Sequence, residues 1–77
     1  MHRTEIVGGV SMRDTFGVRL KKIRKSKKIT QEQLAKKAGI SAVSITFYET
    51  GRLLPNVSTL EWICGALEIS SAELLDF

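Results

Sequence analysis

The chain has 77 residues, a formal net charge of +4, and 43% hydrophobic against 26% charged residues. This length bounds it to one folded domain, and the composition is that of a globular rather than a disordered chain. The single cysteine excludes a disulfide framework and fits a reducing cytoplasm. No apolar run approaches the roughly 20 residues of a membrane span, and the first ten residues lack the apolar segment of a secretory signal.

Positive charge is concentrated in the first half of the chain. Residues 1–40 hold 11 lysines and arginines against three acids, an excess of eight positive charges. Residues 41–77 hold one basic residue against five acids, an excess of four negative charges. The basic half suits a polyanionic partner, but a solvated lysine-rich surface would give the same pattern, so charge alone leaves both interpretations open.

The first ten residues show no periodic pattern and contain a Gly-Gly pair. We expect residues 1–10 to form a disordered leader ahead of a folded domain over residues 11–77. Ser11 and Asp14 match a capping box, which predicts that the first helix begins there.

The first predicted helix is amphipathic and ends near Ser26. Its apolar positions Phe16, Leu20 and Ile23 recur at i, i+4 and i+7, which is one stripe of a helix. The opposite face carries basic residues: Arg19, Lys21, Lys22 and Lys25.

Capping signals delimit the second and third predicted helices. Thr30 with Gln33 forms a capping box, and Gly39 can end the second helix in a left-handed conformation. Ser41 caps a third helix over roughly residues 42–49, which Gly51 ends in the same way. The inner face of the second helix is expected to hold three residues: Leu34, Ala35 and Ala38.

Two further helices complete the prediction. Asn56 caps the fourth, whose inner face is expected to hold five residues: Val57, Leu60, Ile63, Cys64 and Leu67. Ser70 and Glu73 form a capping box that opens a short fifth helix. Nothing alternates with period two, so the predicted fold class is all-α, a compact bundle of five helices.

Several motifs along the chain match one known family. They are T-Q-x-x-L-A at residues 30–35, A-G-I-S at 38–41, I-x-x-x-E-x-G at 45–51, R-x-x-P at 52–55 and L-x-x-I-x-x-A-L-x-I-S at 60–70. Together they resemble the helix-turn-helix domain of the phage-repressor (Cro/cI, XRE-like) family over about residues 12–76. The resemblance implies a lambda-repressor-like fold with the helix-turn-helix at the second and third helices. It also implies a repressor-like transcriptional regulator, a homodimer that binds double-stranded DNA with the third helix in the major groove.

Steps of about 100° per residue divide the third helix into two sides. The side of Ile45 faces the core and also holds Ala42, Tyr48 and Glu49. The outer side presents Val43 and Phe47, which can press on thymine methyl groups. Three hydroxyl residues can bond to bases or phosphates: Ser44, Thr46 and Thr50. This composition departs from the family, which usually places long polar side chains at several of these positions.

Two other interpretations of the apolar pair stay open. Phe47 could fold back over Leu53 or Leu54 and cover the core. Alternatively, Val43 and Phe47 could form an exposed apolar patch that binds a protein partner, as in an antitoxin-like interaction module.

Backbone contacts are expected from residues beside the third helix. Gln31 lies in the first turn of the second helix, where free N–H groups and the helix dipole favour a phosphate. In the family, a glutamine at this position contacts the DNA backbone. The Ser41 hydroxyl and Arg52 can also reach phosphates. The predicted DNA-binding set is therefore Gln31, Ser41, Ala42, Val43, Ser44, Thr46, Phe47, Thr50 and Arg52.

The resemblance further implies a structural ion pair. In the family, an arginine late in the first helix pairs with the glutamate at the end of the third, and Arg24 and Glu49 occupy these positions. We expect this pair to tie the reading helix to the first helix.

Nothing in the sequence predicts an enzyme. It has no Ser/His/Asp set, no phosphate-binding glycine loop and no grouping of metal ligands, so we expect no catalytic residue, metal, cofactor or small-molecule substrate. Cys64 is interpreted as a core residue and Trp62 as partly buried or at a dimer contact. The end of the fourth helix and the LLDF tail, together with Leu53 and Leu54, are predicted to offer apolar surface for the two-fold contact.

Overall fold

The structure, a computed structural model, describes residues 12–75. Within this range there are five helices and no strand, which confirms the all-α prediction. Their bounds are α1 Met12–Ser26, α2 Gln31–Ala38, α3 Ala42–Glu49, α4 Val57–Leu67 and α5 Ser71–Leu74. None of these helices has the length and apolar character that crossing a membrane would require. The predicted leader and the Ser11 end of the first capping box lie outside the described residues.

Side-chain caps begin the last four helices, as the sequence predicts. The side-chain oxygens of Thr30, Ser41, Asn56 and Ser70 each accept a hydrogen bond from the backbone N–H three residues later. The helices therefore begin where local hydrogen bonding satisfies their first free N–H groups.

Left-handed residues end several of the helices. Gly39 and Gly51 have φ values of 77° and 81°, as predicted for residues that follow α2 and α3. Lys28 and Glu68 take the same conformation, with φ values of 59° and 58°, although a side chain is strained there. The positions of these last two turns carry no glycine and were not predicted.

One core lies among all five helices. Its buried apolar residues are Phe16, Leu20, Leu34, Ala35, Ala38, Ile45, Tyr48, Ile63, Cys64, Leu67 and Leu74. Two expectations are corrected. Val57 is 71% exposed because it is the first residue of α4, ahead of the turns that reach the core. Leu74, part of the LLDF tail that was assigned to an apolar surface, is 0% exposed because α5 packs against both α1 and α4.

A close backbone contact fixes α1 against the end of α3. A Cβ atom built on Gly17 would lie 2.5 Å from the carbonyl oxygen of Tyr48 and 2.6 Å from that of Glu49. Real Cβ atoms essentially never approach other atoms so closely, so only glycine fits here. Glycine at this position in α1 therefore sets how near α1 comes to the helix that is expected to read DNA.

Candidate nucleic-acid interface

The helix-turn-helix consists of α2 and α3, which pack on each other and are joined by a short turn at residues 39–41. α1 supports α3 from behind, and α4 supports α2. On the inner side of α3, Ile45, Tyr48 and Glu49 are buried and Ala42 packs against the core. The facing predicted from helical periodicity is thus the one the structure has.

The outer side of α3 presents apolar atoms. Val43 is 60% exposed, and Phe47 is partly buried. Phe47 is not among the partly buried residues that pack on the core cluster, which argues against its role as a core cover. Instead, the guanidinium carbon of Arg52 lies 5.7 Å from the centroid of the Phe47 ring, within cation–π range. Leu53 and Leu54, the residues over which Phe47 could fold back, are themselves 47% and 42% exposed.

Arg24 and Glu49 form a buried ion pair between α1 and α3. Arg24 Nε donates to Glu49 Oε2 at 2.6 Å, and Nη2 donates to Oε1 at 3.1 Å. The side chains are 9% and 2% exposed. Arg24 Nη1 also donates to the carbonyl oxygen of Ile29 at 2.8 Å. All three nitrogens of the guanidinium are thus engaged, as a buried charge requires.

The network continues to Gln31, at the start of α2. Gln31 Nε2 donates to Glu49 Oε1 at 2.9 Å, and Thr46 Oγ1 donates to Gln31 Oε1 at 3.0 Å. Both ends of the Gln31 amide are therefore held by α3. Because the amide nitrogen carries two hydrogens, one remains for an outside acceptor such as a phosphate. Sequence reasoning placed Gln31 at the interface but missed these two bonds.

An open cleft of about 550 Å³ lies where α2 and α3 begin. It is lined by Arg24, Thr30, Gln31, Glu32, Ala42, Val43 and Thr46. Gln31 and Val43, predicted to contact the DNA backbone and the bases, therefore border the same surface. Glu32 brings a negative charge to this cleft, which opposes an anion at that point.

Hydroxyl groups near the outer side are engaged within the protein. Thr50 Oγ1 donates to the carbonyl oxygen of Thr46 at 2.8 Å, which is the usual back-bond of a threonine in a helix. Ser41 Oγ accepts from the Ser44 N–H at 3.2 Å, and the two hydroxyl oxygens are 3.1 Å apart. These residues lie where the sequence predicts, but their hydrogen bonds are local.

Basic residues surround the helix-turn-helix. Seven lysines of α1, the following turn and α2 are exposed: Lys21, Lys22, Lys25, Lys27, Lys28, Lys36 and Lys37. Arg19, predicted on the solvent face of α1, is half-buried, and its Nε donates to the carbonyl oxygen of Glu73 at 2.8 Å. Arg19 therefore fastens α5 to α1. The acceptor is a backbone carbonyl oxygen, so no residue pattern in the sequence predicts this hydrogen bond.

Comparison with known proteins adds to this geometry. A helix-turn-helix family model, HTH_3, matches residues 20–74. The chain is 44% identical over 61 residues to the immunity repressor protein of Bacillus phage phi105, covering 79% of this chain and 42% of that protein. It is 33% identical over 66 residues to the "uncharacterized HTH-type transcriptional regulator y4dJ" of Sinorhizobium fredii, covering 86% of each.

Solved structures agree with the architecture. The restriction-modification controller protein C.AhdI from Aeromonas hydrophila superposes with a TM-score of 0.79 at 29% identity, covering 80% of this chain and 94% of that one. The chain spans only 42%, 52% and 29% of the lengths of the first three curated relatives it matches.

Proposed function

Because the chain belongs to the HTH_3 helix-turn-helix family, we propose that it is a transcriptional regulator that binds double-stranded DNA sequence-specifically, with α3 in the major groove. The observation that carries the proposal is the joint placement of Val43 and Gln31. One is 60% exposed on the outer side of α3, and the other is held at the start of α2 with an amide hydrogen to spare. This is the arrangement in which a helix-turn-helix reads bases and grips a phosphate together.

Charge supports the same proposal. The exposed lysines of α1 and α2 flank the helix-turn-helix, and Arg52 follows α3 directly. Lysine and arginine contacts to phosphates supply most of the sequence-independent part of DNA binding. A repressor-like action in the bacterial cytoplasm follows from the likeness to the phage phi105 immunity repressor and belongs to this proposal.

A homodimer on a two-fold operator completes the proposal, since one module this small buries too little DNA to be specific alone. Among the described residues, six large apolar side chains outside α3 are exposed: Val18, Leu53, Leu54, Val57, Trp62 and Leu75. Trp62 is 54% exposed, which favours the dimer-contact interpretation of this residue over burial. Sedimentation equilibrium of the chain and of Trp62→Ala, with and without duplex, tests this part. A monomer on a single asymmetric site would contradict it.

The decisive experiment is a selection from random duplexes at moderate salt, followed by affinity titrations of the selected duplex. We expect a two-fold consensus. We also expect the affinity to fall about 10³-fold between 50 and 200 mM salt if roughly six phosphates are neutralised. An affinity that stays flat over this range would contradict the electrostatic part of the proposal.

Variants separate DNA binding from the rival interpretation, a protein-binding patch. Val43→Ala should weaken binding to the selected duplex more than to random DNA. Val18→Ala is the matched control, because Val18 is 64% exposed on α1. Should Phe47→Ala leave DNA affinity intact while it abolishes a protein contact, the outer side of α3 is a partner surface and not a reading surface.

A further inference from the structure

The two threonine hydroxyls of the outer side have no hydrogen left for a base. Thr46 Oγ1 donates to Gln31 Oε1 at 3.0 Å and also lies 3.2 Å from the carbonyl oxygen of Ala42. Thr50 Oγ1 donates to the carbonyl oxygen of Thr46 at 2.8 Å. A hydroxyl carries a single hydrogen, so each donor is occupied inside the protein.

The serine pair at the start of α3 retains little more. Ser41 Oγ accepts the Ser44 N–H, and the two hydroxyls are 3.1 Å apart, so one donates to the other. A single hydroxyl hydrogen remains for the pair. It lies at the helix start, a position that suits a phosphate.

What α3 turns outward is therefore chiefly apolar. The Val43 isopropyl group is exposed, and Phe47, four residues later on the same side of α3, has the Arg52 guanidinium over its ring. From Gly39 to Pro55 the sequence holds no other basic residue and no asparagine or glutamine. Apart from Arg52, which lies over the Phe47 ring, the long donors that usually read guanine and adenine edges are absent from this segment.

Only one group in the major groove is apolar, the C5-methyl of thymine. Hydroxyl oxygens that can only accept meet the N–H of adenine and of cytosine alike, so they do not choose between them. We propose that this chain selects its DNA site through thymine methyl groups, with Val43 and Phe47 as the specificity-determining residues. The inference rests on the proposed function and names the chemical feature that the same site reads.

Arg52 has a supporting role in this reading. Its guanidinium carbon lies 5.7 Å from the Phe47 ring centroid, so it covers one face of the ring. Arg52 is thus a positioning residue for Phe47. Arg52→Lys keeps the charge but loses the planar group that stacks on the ring.

The test removes the methyl and nothing else. In the duplex obtained by selection, each thymine is replaced in turn by deoxyuridine, which preserves pairing and lacks only the C5-methyl. At one or two positions of each half-site we expect affinity to fall about fourfold per methyl, the equivalent of the ~0.8 kcal/mol for burying one such group. Elsewhere the replacement should have no effect.

Variants then assign each methyl to a side chain. Val43→Ala and Phe47→Ala should each bind the selected duplex more weakly and lose most of the deoxyuridine effect at one position, as a double-mutant cycle requires for direct contact. Arg52→Lys should reduce the effect only at the Phe47 position. Val18→Ala, with matched exposure on α1, should keep the full effect at every position.

The outcomes separate the two proposals. Sequence-specific binding that is equal for thymine and deoxyuridine at every position overturns methyl readout and leaves the proposed function standing. A deoxyuridine effect that persists in both Val43→Ala and Phe47→Ala overturns the assignment to these residues. A selection that yields no preferred duplex removes the proposed function and this inference with it.

Discussion

The guanidinium of Arg24 in α1 and the carboxylate of Glu49 in α3, 25 positions apart in the chain, are paired through two hydrogen bonds of 2.6 and 3.1 Å. Both residues are buried, and Glu49 Oε1 also accepts from Gln31. One carboxylate therefore joins α1, the helix proposed to read DNA (α3) and the residue proposed to bind phosphate.

Removing one member of this pair should destabilise the fold strongly. We expect Arg24→Ala to lower the free energy of unfolding by about 3–5 kcal/mol, because it leaves the Glu49 charge buried without its partner. Urea unfolding followed by circular dichroism measures this. Lys25→Ala, an exposed neighbour in α1, is the control and should change stability by less than about 0.5 kcal/mol.

A double replacement distinguishes burial of charge from loss of packing. Arg24→Met with Glu49→Leu removes both charges and should recover much of the lost stability. It should not recover DNA affinity, because Gln31 then lacks the carboxylate that holds it. Full recovery of affinity would contradict a positioning role for Glu49.

Two helical glycines should respond to alanine in opposite directions. Gly17→Ala should destabilise the protein by more than about 1 kcal/mol, because its Cβ would meet two carbonyl oxygens of α3 at 2.5 and 2.6 Å. Gly65→Ala in α4 meets nothing within 4 Å and should stabilise by about 0.5–1 kcal/mol through helix propensity. Thermal unfolding of the two variants under identical conditions tests this prediction. Equal shifts of the unfolding midpoint would contradict the close contact between Gly17 and the end of α3.

Lys28 occupies a conformation that suits glycine. With φ at 59°, Lys28→Gly should stabilise the protein by about 1 kcal/mol, since the strain of the left-handed backbone disappears. Gly39→Ala is the reverse experiment: its φ is 77° with open space around it, so only backbone strain is added and a loss of about 1 kcal/mol is expected. Midpoints of urea unfolding for both variants test the pair.

The Thr46 hydroxyl should matter for DNA affinity more than for stability. Thr46→Val removes the donor to Gln31 Oε1 and leaves the amide held only through its bond to Glu49, so affinity for the selected duplex should fall about three- to tenfold, the equivalent of one hydrogen bond. Thr59→Val in α4 is the matched control. In a Gln31→Ala background, Thr46→Val should lower the affinity little further. A fully additive loss of affinity would contradict the coupling between Thr46 and Gln31.

The reactivity of the Cys64 thiol should distinguish the folded from the unfolded protein. It is 5% exposed, and burial raises the pKa of its thiol above the ordinary 9.0, with Glu61 and Glu73 adding to the shift. Because only the thiolate reacts, we expect iodoacetamide to modify Cys64 slowly in the folded protein and promptly in urea.

The same pKa shift predicts a pH dependence of stability. Since the pKa of Cys64 is higher in the folded than in the unfolded protein, its contribution to the free energy of unfolding should be complete below pH 9 and be lost as pH rises through the folded-state pKa. Cys64→Ala should lack this part of the fall, and rapid labelling of the native protein would contradict the burial.

Local signals explain how much of the fold could be predicted. Caps at Thr30, Ser41, Asn56 and Ser70 set the helix starts because each acts within its own turn. The predicted burial of Val57 is wrong because helical periodicity gives the direction of a side chain but does not show whether another helix packs against it. The predicted exposure of Leu74 is wrong because the packing of the short helix α5 depends on contacts with residues far away in sequence.

In the candidate site, too, local features could be predicted and contacts between helices could not. The outward direction of Val43 follows from helix geometry, and the Arg24–Glu49 pair follows from the family motif. The bonds from Gln31 to Thr46 and Glu49 join residues 15 and 18 positions apart on different helices. No local pattern encodes such a contact, and it determines which hydroxyls remain available to DNA.

The chain of contacts from Arg24 through Glu49 to Gln31 has a consequence for genetics. A screen for variants that fail to regulate a reporter would recover substitutions in α1 alongside those in α3, although the buried Arg24 offers almost no surface to a nucleic acid. Second-site suppressors would tell the two classes apart: those that restore general robustness should rescue the α1 class and leave the α3 class defective.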